Sequence, residues 1–131
     1  KIDQYKPDFV VVDYLQLMSP NQKADSETVR MKNLSRELKL MAISEEMPII
    51  AISSATPDDV NKLDTVPTLG QTAWSRQIAY DADWVLALGR ATNSDILECV
   101  FRKNRNGFMG EFLVQVDFDK GWYKYKDYQD S

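Results

Sequence analysis

Apolar positions follow two rhythms along this chain. Phe9-Val10-Val11-Val12 is an unbroken apolar run ending in Asp13, and Ile49-Ile50-Ala51-Ile52, entered through Pro48 and left through Ser53, is a second. Unbroken short runs rich in β-branched residues predict strands covered on both faces. Between them Met31, Leu34, Leu38 and Met41 recur at spacings of three, four and three, the period of an amphipathic helix. That helix is expected over Asp25 to Glu46, with Asp25 or Ser26 as its cap and Glu27 suited to the positive end of its dipole. The segment 55–70, broken by Pro57 and Pro67, reads as a long loop. A short helix over 72–80 and a third apolar strand, Trp84–Leu88, complete a βαβαβ order.

Beyond Asp95 the period becomes two. Ile96, Glu98, Val100 and Arg102 alternate with Leu97, Cys99, Phe101 and Lys103, and Phe112, Val114, Val116 and Phe118 alternate with Leu113, Gln115 and Asp117. These are hairpin strands joined through Asn106-Gly107 and Gly110. The chain is therefore expected to be one α/β layered domain over residues 1–131, with a mixed sheet, parallel strands first and antiparallel strands last, and helices packed on it. The tail after Trp122-Tyr123 turns polar, and residues 127–131 are expected to fray.

Composition narrows the chemistry. Of 131 residues, 44% are hydrophobic and 27% charged, as in a globular protein, and 16 basic against 20 acidic residues leave a net charge of −4. The balance excludes a nonspecific nucleic-acid binder that works through an overall basic surface. No apolar run approaches the ~20 residues of a membrane helix, so no membrane partner and a cytoplasmic location are expected. With one cysteine, Cys99, and no histidine, an intramolecular disulfide, a Cys/His zinc site and any histidine-based triad are excluded. Carboxylates, lysine, arginine, hydroxyls and backbone remain.

Open α/β sheets bind ligands at the carboxyl ends of their parallel strands, which points to Asp13 through Gln16, to Ser53 and Ser54, and to Gly89-Arg90. An aspartate directly after a dry strand is placed to hold a hydrated Mg²⁺ near phosphates; it is equally what a turn requires as a cap. Lys103-Asn104-Arg105-Asn106-Gly107 sets two cations two residues apart, able to converge on one anion; an exposed hairpin edge that uses lysine against strand pairing has the same composition. The five glycines contain no G-x-x-x-x-G-K-[ST] and no G-x-G-x-x-G, so the sequence carries neither a phosphate-binding loop nor a classical dinucleotide fingerprint.

Four ordered strings nevertheless resemble one family, the RecA-like motor domain of DnaB-type replicative helicases. Phe9–Met18 (FVVVDYLQLM) is similar to its Walker B strand. Leu34–Leu40 (LSRELKL) and Pro48–Ser53 (PIIAIS) are similar to the helix and strand that follow, Tyr80–Arg90 (YDADWVLALGR) to its Asp-Ala-Asp strand, and Lys103–Gly110 (KNRNGFMG) to its Lys-x-Arg-Asn-Gly-x-x-Gly hairpin. The resemblance implies the carboxyl-terminal half of a RecA-like domain, a partial domain lacking the P-loop, in a parent that uses ATP and Mg²⁺ to move along single-stranded DNA as a hexameric ring, with a primase or a helicase loader as further partners; the divergence from the cellular pattern is compatible with a bacteriophage version.

By that resemblance Asp13 would be the Walker B acid that positions Mg²⁺, and Gln16 and Ser54 would lie at the nucleotide. Lys103 and Arg105 would be the basic fingers that act on the neighbouring subunit's ATP, while Gln71, Arg76 and Gln77 would lie near the DNA-facing loop. Two departures stand out. Ala73-Trp74-Ser75-Arg76-Gln77 occupies the place of the family's Arg-Glu-Ser-Gly-Ser, and Ser54 stands where a glutamine phosphate sensor is usual. The Walker A loop and catalytic glutamate precede the Walker B strand in the family, so this chain alone is expected to be inactive. Another RecA-like ATPase, of recombinase or clock type, and a non-catalytic interaction module on the same fold are the alternatives.

Overall fold

The computed structural model describes residues 5–21, 24–54, 66, 73–90 and 94–126. They form two compact units, Lys1–Ser54 with Ala73–Ala82, and Ala55–Thr72 with Asp83–Ser131. The loop expected over 55–70 lies outside the described residues except for Val66, as do the tail 127–131 and Gln71.

In the first unit β1 (Val10–Val12) and β2 (Ile49–Ala51) pair in parallel, Val11 opposite Ile50. The helix α1 (Glu27–Ser44) connects them. It starts where Ser26, in extended backbone, accepts the Val29 amide on its hydroxyl at 3.3 Å, which resolves the Asp25-or-Ser26 choice in favour of Ser26. It ends in a Schellman turn: the Met47 amide donates to the Ala42 carbonyl at 3.0 Å, the Glu46 amide to Ile43 at 3.3 Å, and Glu46 takes φ +51°. Glycine usually fills that left-handed position, so its absence hides the helix end from a reading of the sequence. Met31, Leu34 and Leu38 are buried with Leu15, and Val12, Met18, Met41, Ile49 and Ile78 pack against them. The three-four-three stripe is thus the core of this unit. Ile78 comes from α2 (Ala73–Asp81), which lies against α1.

Four strands make the second unit, each antiparallel to the next: β3 (Trp84–Arg90), β4 (Ile96–Asn104), β5 (Glu111–Asp117) and β6 (Trp122–Lys126). Trp84, Phe101, Phe112 and Tyr125 form an aromatic ladder across all four, with successive centroids 6.4–6.5 Å apart. Cys99 is buried opposite Leu88 and Phe112, and burial pushes its thiol pKa up. Gly89 admits Val66: a Cβ at position 89 would stand 2.8 Å from the Val66 Cα.

The α/β class, with parallel strands first and antiparallel strands last, stands as the sequence implied. Three details differ. Among the described residues β3 is paired with β4, not with the parallel strands, because an apolar run reports burial and carries no information on a neighbour's direction. The runs read as buried on both faces are covered on one: Val11 and Ile50 are half exposed while Val12 and Ile49 pack against the α1 core, and in β3 Trp84, Leu86 and Leu88 are exposed. The third is β6, a strand at the start of the polar tail, where Tyr123 and Tyr125 alternate with Lys124 and Lys126 at period two.

Candidate functional site

Asp13 leaves the carboxyl end of β1 as an exposed residue. The backbone there is fixed on both sides of it. Val12 accepts the Ile52 amide at 2.9 Å, and the Leu15 amide donates to the Ile52 carbonyl at 2.9 Å. A single 3₁₀ turn, Leu15–Leu17, follows because Leu15 drops into the core while Leu17 stays in solvent. That turn sets Gln16 toward the end of β2: its Nε2 donates to Ser53 Oγ at 3.1 Å and to the Ser54 carbonyl at 3.4 Å. Two residues assigned to the nucleotide by resemblance, Gln16 and Ser54, are therefore in contact. Ser54 takes part through its backbone.

The Gln16 amide oxygen is buried and has no partner among the described residues. A buried acceptor left unpaired in this way is uncommon, and it suits a donor such as a water of a hydrated ion. Among the described residues no three Asp, Glu, His or Cys side chains form a metal cage. One hard carboxylate, Asp13, with an orphaned amide oxygen three residues on fits Mg²⁺, which keeps its waters and takes few protein ligands alongside substrate phosphates.

Arg30 holds this loop in place and escaped the sequence reading. From the first turn of α1 its Nη2 donates to the Gln16 carbonyl at 3.1 Å and its Nη1 to the Met18 carbonyl, while Nε and Nη2 meet the Glu27 carboxylate at 2.8 and 2.6 Å. The Arg30 hydrogen bond holds the Glu27 carboxyl below the usual carboxylate range. In the sequence only the i, i+3 spacing to Glu27 is visible; backbone carbonyls leave no trace in side-chain patterns.

The predicted fingers sit at the end of β4. Lys103 is half-buried and opposite Val85; Arg105, exposed, begins the turn. The alternation expected through Arg102 and Lys103 breaks here, since a register shift between Val85 and Leu86 leaves Arg102 as an extra residue and moves Lys103 off the face that carries Phe101. Arg105 is tied to Asp83 twice, its amide donating to the Asp83 carbonyl at 2.9 Å and its Nη1 lying 3.1 Å from Oδ1. The turn itself is braced by Asn104, whose Nδ2 donates to the Phe108 carbonyl at 3.0 Å. Phe108 is almost fully exposed at the tip.

On α2, Arg76 is exposed, whereas Gln77 is half-buried and donates to Asp81 Oδ2 at 3.3 Å. The buried Asp81 carboxylate also accepts Ser35 Oγ at 3.0 Å and lies 3.7 Å from the Arg36 guanidinium, pinning α2 to α1. This engagement of Gln77 follows from its i, i+4 spacing to an acid.

The parallel strand pair followed by an antiparallel hairpin sheet is an architecture of the RecA-like class of helicase ATPase domain, which the solved structures below share. More particularly, the model of the DnaB-like helicase C terminal domain matches residues 1–127, and the chain belongs to that family. A probable replicative DNA helicase of Trieres chinensis is 35% identical over 130 residues, covering 91% of this chain and 28% of that protein. The replicative DNA helicase DnaB of Mycobacterium intracellulare is 41% identical over 81 residues, covering 62% of this chain and 14% of that protein. The chain thus spans between about a seventh and just over a quarter of these relatives. Among solved structures, one ATPase domain superposes with a TM-score of 0.80 at 28% identity, over 90% of this chain and 44% of that one. A DnaB-like replicative helicase studied for its interactions with primase superposes with a TM-score of 0.72 at 30% identity, over 81% and 28%. Among the described residues no helix is long and apolar enough to cross a membrane.

Proposed function

We propose that this chain contributes the Walker B acid and the trans-acting fingers of an ATP-dependent replicative helicase that moves along single-stranded DNA as a hexameric ring in the cytoplasm. The observation that carries the reading is the strand-end arrangement: an exposed Asp13 after β1, and Gln16 bound to Ser53 and Ser54 after β2. Asp13 and the Gln16 amide oxygen would hold Mg²⁺ through its waters, and the bound ion would neutralise charge on the ATP phosphates. Gln16 ties the ends of β1 and β2 so that both face the same phosphates.

Lys103 and Arg105 act on the ATP of the neighbouring subunit. Arg105 spreads several donors over the developing γ-phosphate charge and Lys103 adds a point charge. Fingers of this kind are worth roughly 10³–10⁵ in rate. Arg76, exposed on α2, with Gln71 and Gln77 on the same stretch of chain, serves the DNA-facing side. The relative studied for its interactions with primase supports a primase as a partner, and a helicase loader is the second candidate.

The test mixes two variants of the full helicase polypeptide. An Arg105→Ala subunit keeps Asp13, and an Asp13→Asn subunit keeps Arg105, so mixed rings contain interfaces at which an intact finger meets an intact acid. Each variant alone should lose nearly all DNA-stimulated hydrolysis, Arg105→Ala keeping only a slow residual rate reduced by roughly 10³–10⁵, and mixing should restore part of the loss. Mixed rings that form and recover nothing, or full turnover by Arg105→Ala alone, would overturn the assignment. The 131 residues expressed by themselves, which contain no Walker A motif, should show no Mg²⁺-dependent ATP turnover.

A further inference from the structure

Asp83 immediately precedes β3 and Arg105 immediately follows β4, so they form the next rung beyond the Trp84–Asn104 pair. That rung is closed at both levels, backbone amide to carbonyl at 2.9 Å and guanidinium to carboxylate at 3.1 Å. We propose that Asp83 is the positioning residue for Arg105, restraining the guanidinium within its own subunit so that it reaches the neighbour's phosphate already oriented. The proposal rests on the reading of Arg105 as a trans finger.

Two physical arguments support it. A long arginine side chain loses rotamer freedom when it engages a ligand, and a partner that has already restricted it lowers that loss. The restraint must also be weak enough not to compete with phosphate. Both side chains are about half exposed, at 49% and 48%, and an ion pair in that setting is a weak one, screened by water and salt. The contact is made through Nη1, and guanidinium has five donors, which leaves it able to hold Asp83 and meet an anion together. The backbone bond fixes where the side chain starts, and the carboxylate fixes where it points.

The experiment uses the full helicase polypeptide with Asp83→Ala, Asp83→Asn, Arg105→Ala and the Asp83→Ala/Arg105→Ala double variant. DNA-stimulated kcat, KM for ATP and ring formation by sedimentation are measured. Asp83→Ala should lower kcat by about fivefold, the scale of a half-exposed ion pair, with KM and ring formation unchanged. Asp83→Asn, which keeps an acceptor oxygen of the same shape, should recover part of that loss, and in the Arg105→Ala background Asp83→Ala should subtract nothing further. Should Asp83→Ala fail to assemble, Asp83→Asn carries the test: its smaller kcat loss must likewise vanish when Arg105 is absent. Unchanged or increased turnover in Asp83→Ala, a loss that persists without Arg105, or an Asp83→Asn no better than Asp83→Ala would each overturn the proposal. Full turnover by Arg105→Ala alone would instead remove the finger reading beneath it, a separate signature.

Discussion

Arg30 Nη2 lies 3.1 Å from the backbone carbonyl of Gln16, so a helix side chain 14 residues on holds the turn that follows the candidate Mg²⁺ acid. Its other donors reach Met18 and Glu27. No other described side chain grips that turn from outside with as many bonds.

Arg30→Ala should therefore destabilise the first unit by about 1–3 kcal/mol, the range for hydrogen bonds to a charged group whose loss leaves carbonyls unpaired. Arg30→Lys should not restore it, because a single ammonium cannot span three acceptors. Chemical denaturation of the three proteins measures the difference.

The Glu27 carboxyl, held below its ordinary value of 4.5 chiefly by the Arg30 hydrogen bond, should make that pair acid-sensitive. A depressed native pKa contributes stability that is complete above the unfolded value and disappears as pH falls through the native one. The stability gap between the natural chain and Glu27→Gln should stay constant above about pH 5 and close on further acidification. Denaturation midpoints taken across that range follow it. Since Glu27 is more than half exposed, the gap is small and shrinks in salt.

Glu46→Gly should stabilise the chain. Glu46 holds φ +51° at the end of α1, where a Cβ costs about 1–2 kcal/mol and glycine costs less, so a gain of about 0.5–1 kcal/mol is expected after glycine's own entropy loss. A higher melting temperature checks it.

Gly89→Ala should do the reverse. Its Cβ would meet Val66 backbone and side chain at 2.8 Å, and overpacking of this kind costs about 1–3 kcal/mol. Pairing it with Val66→Ala separates the side-chain part of the clash, which should be relieved, from the backbone part, which should remain.

The sequence is most legible where one periodicity answers to one neighbour. Met31, Leu34 and Leu38 mark the face of α1 because a helix stripe has a single place to go, and Asn106-Gly107 marks where β4 turns back toward β5, although neither residue takes a left-handed φ there. Where an element's identity depends on a distant partner, the signal fails. Trp84–Leu88 looks like Val10–Val12 in composition yet lies in an antiparallel ladder. Around the site, Asp13 and Gln16 are legible because they stand at a strand end, whereas Arg30 and Asp83 are not, because one binds carbonyls and the other meets Arg105 only through strand register.

The extra residue in β4 has a consequence for how this hairpin can change. Register decides which residue faces Val85, so the aim of the cations depends on a count of residues between the partners of Leu86 and Trp84. A substitution at Arg102 leaves that count intact, whereas a residue inserted between Val85 and Leu86 would pair with Arg102, close the bulge and turn Lys103 back to the Phe101 face. Chains built on this hairpin are free to vary in spelling at Arg102 and are not free to gain a residue opposite it.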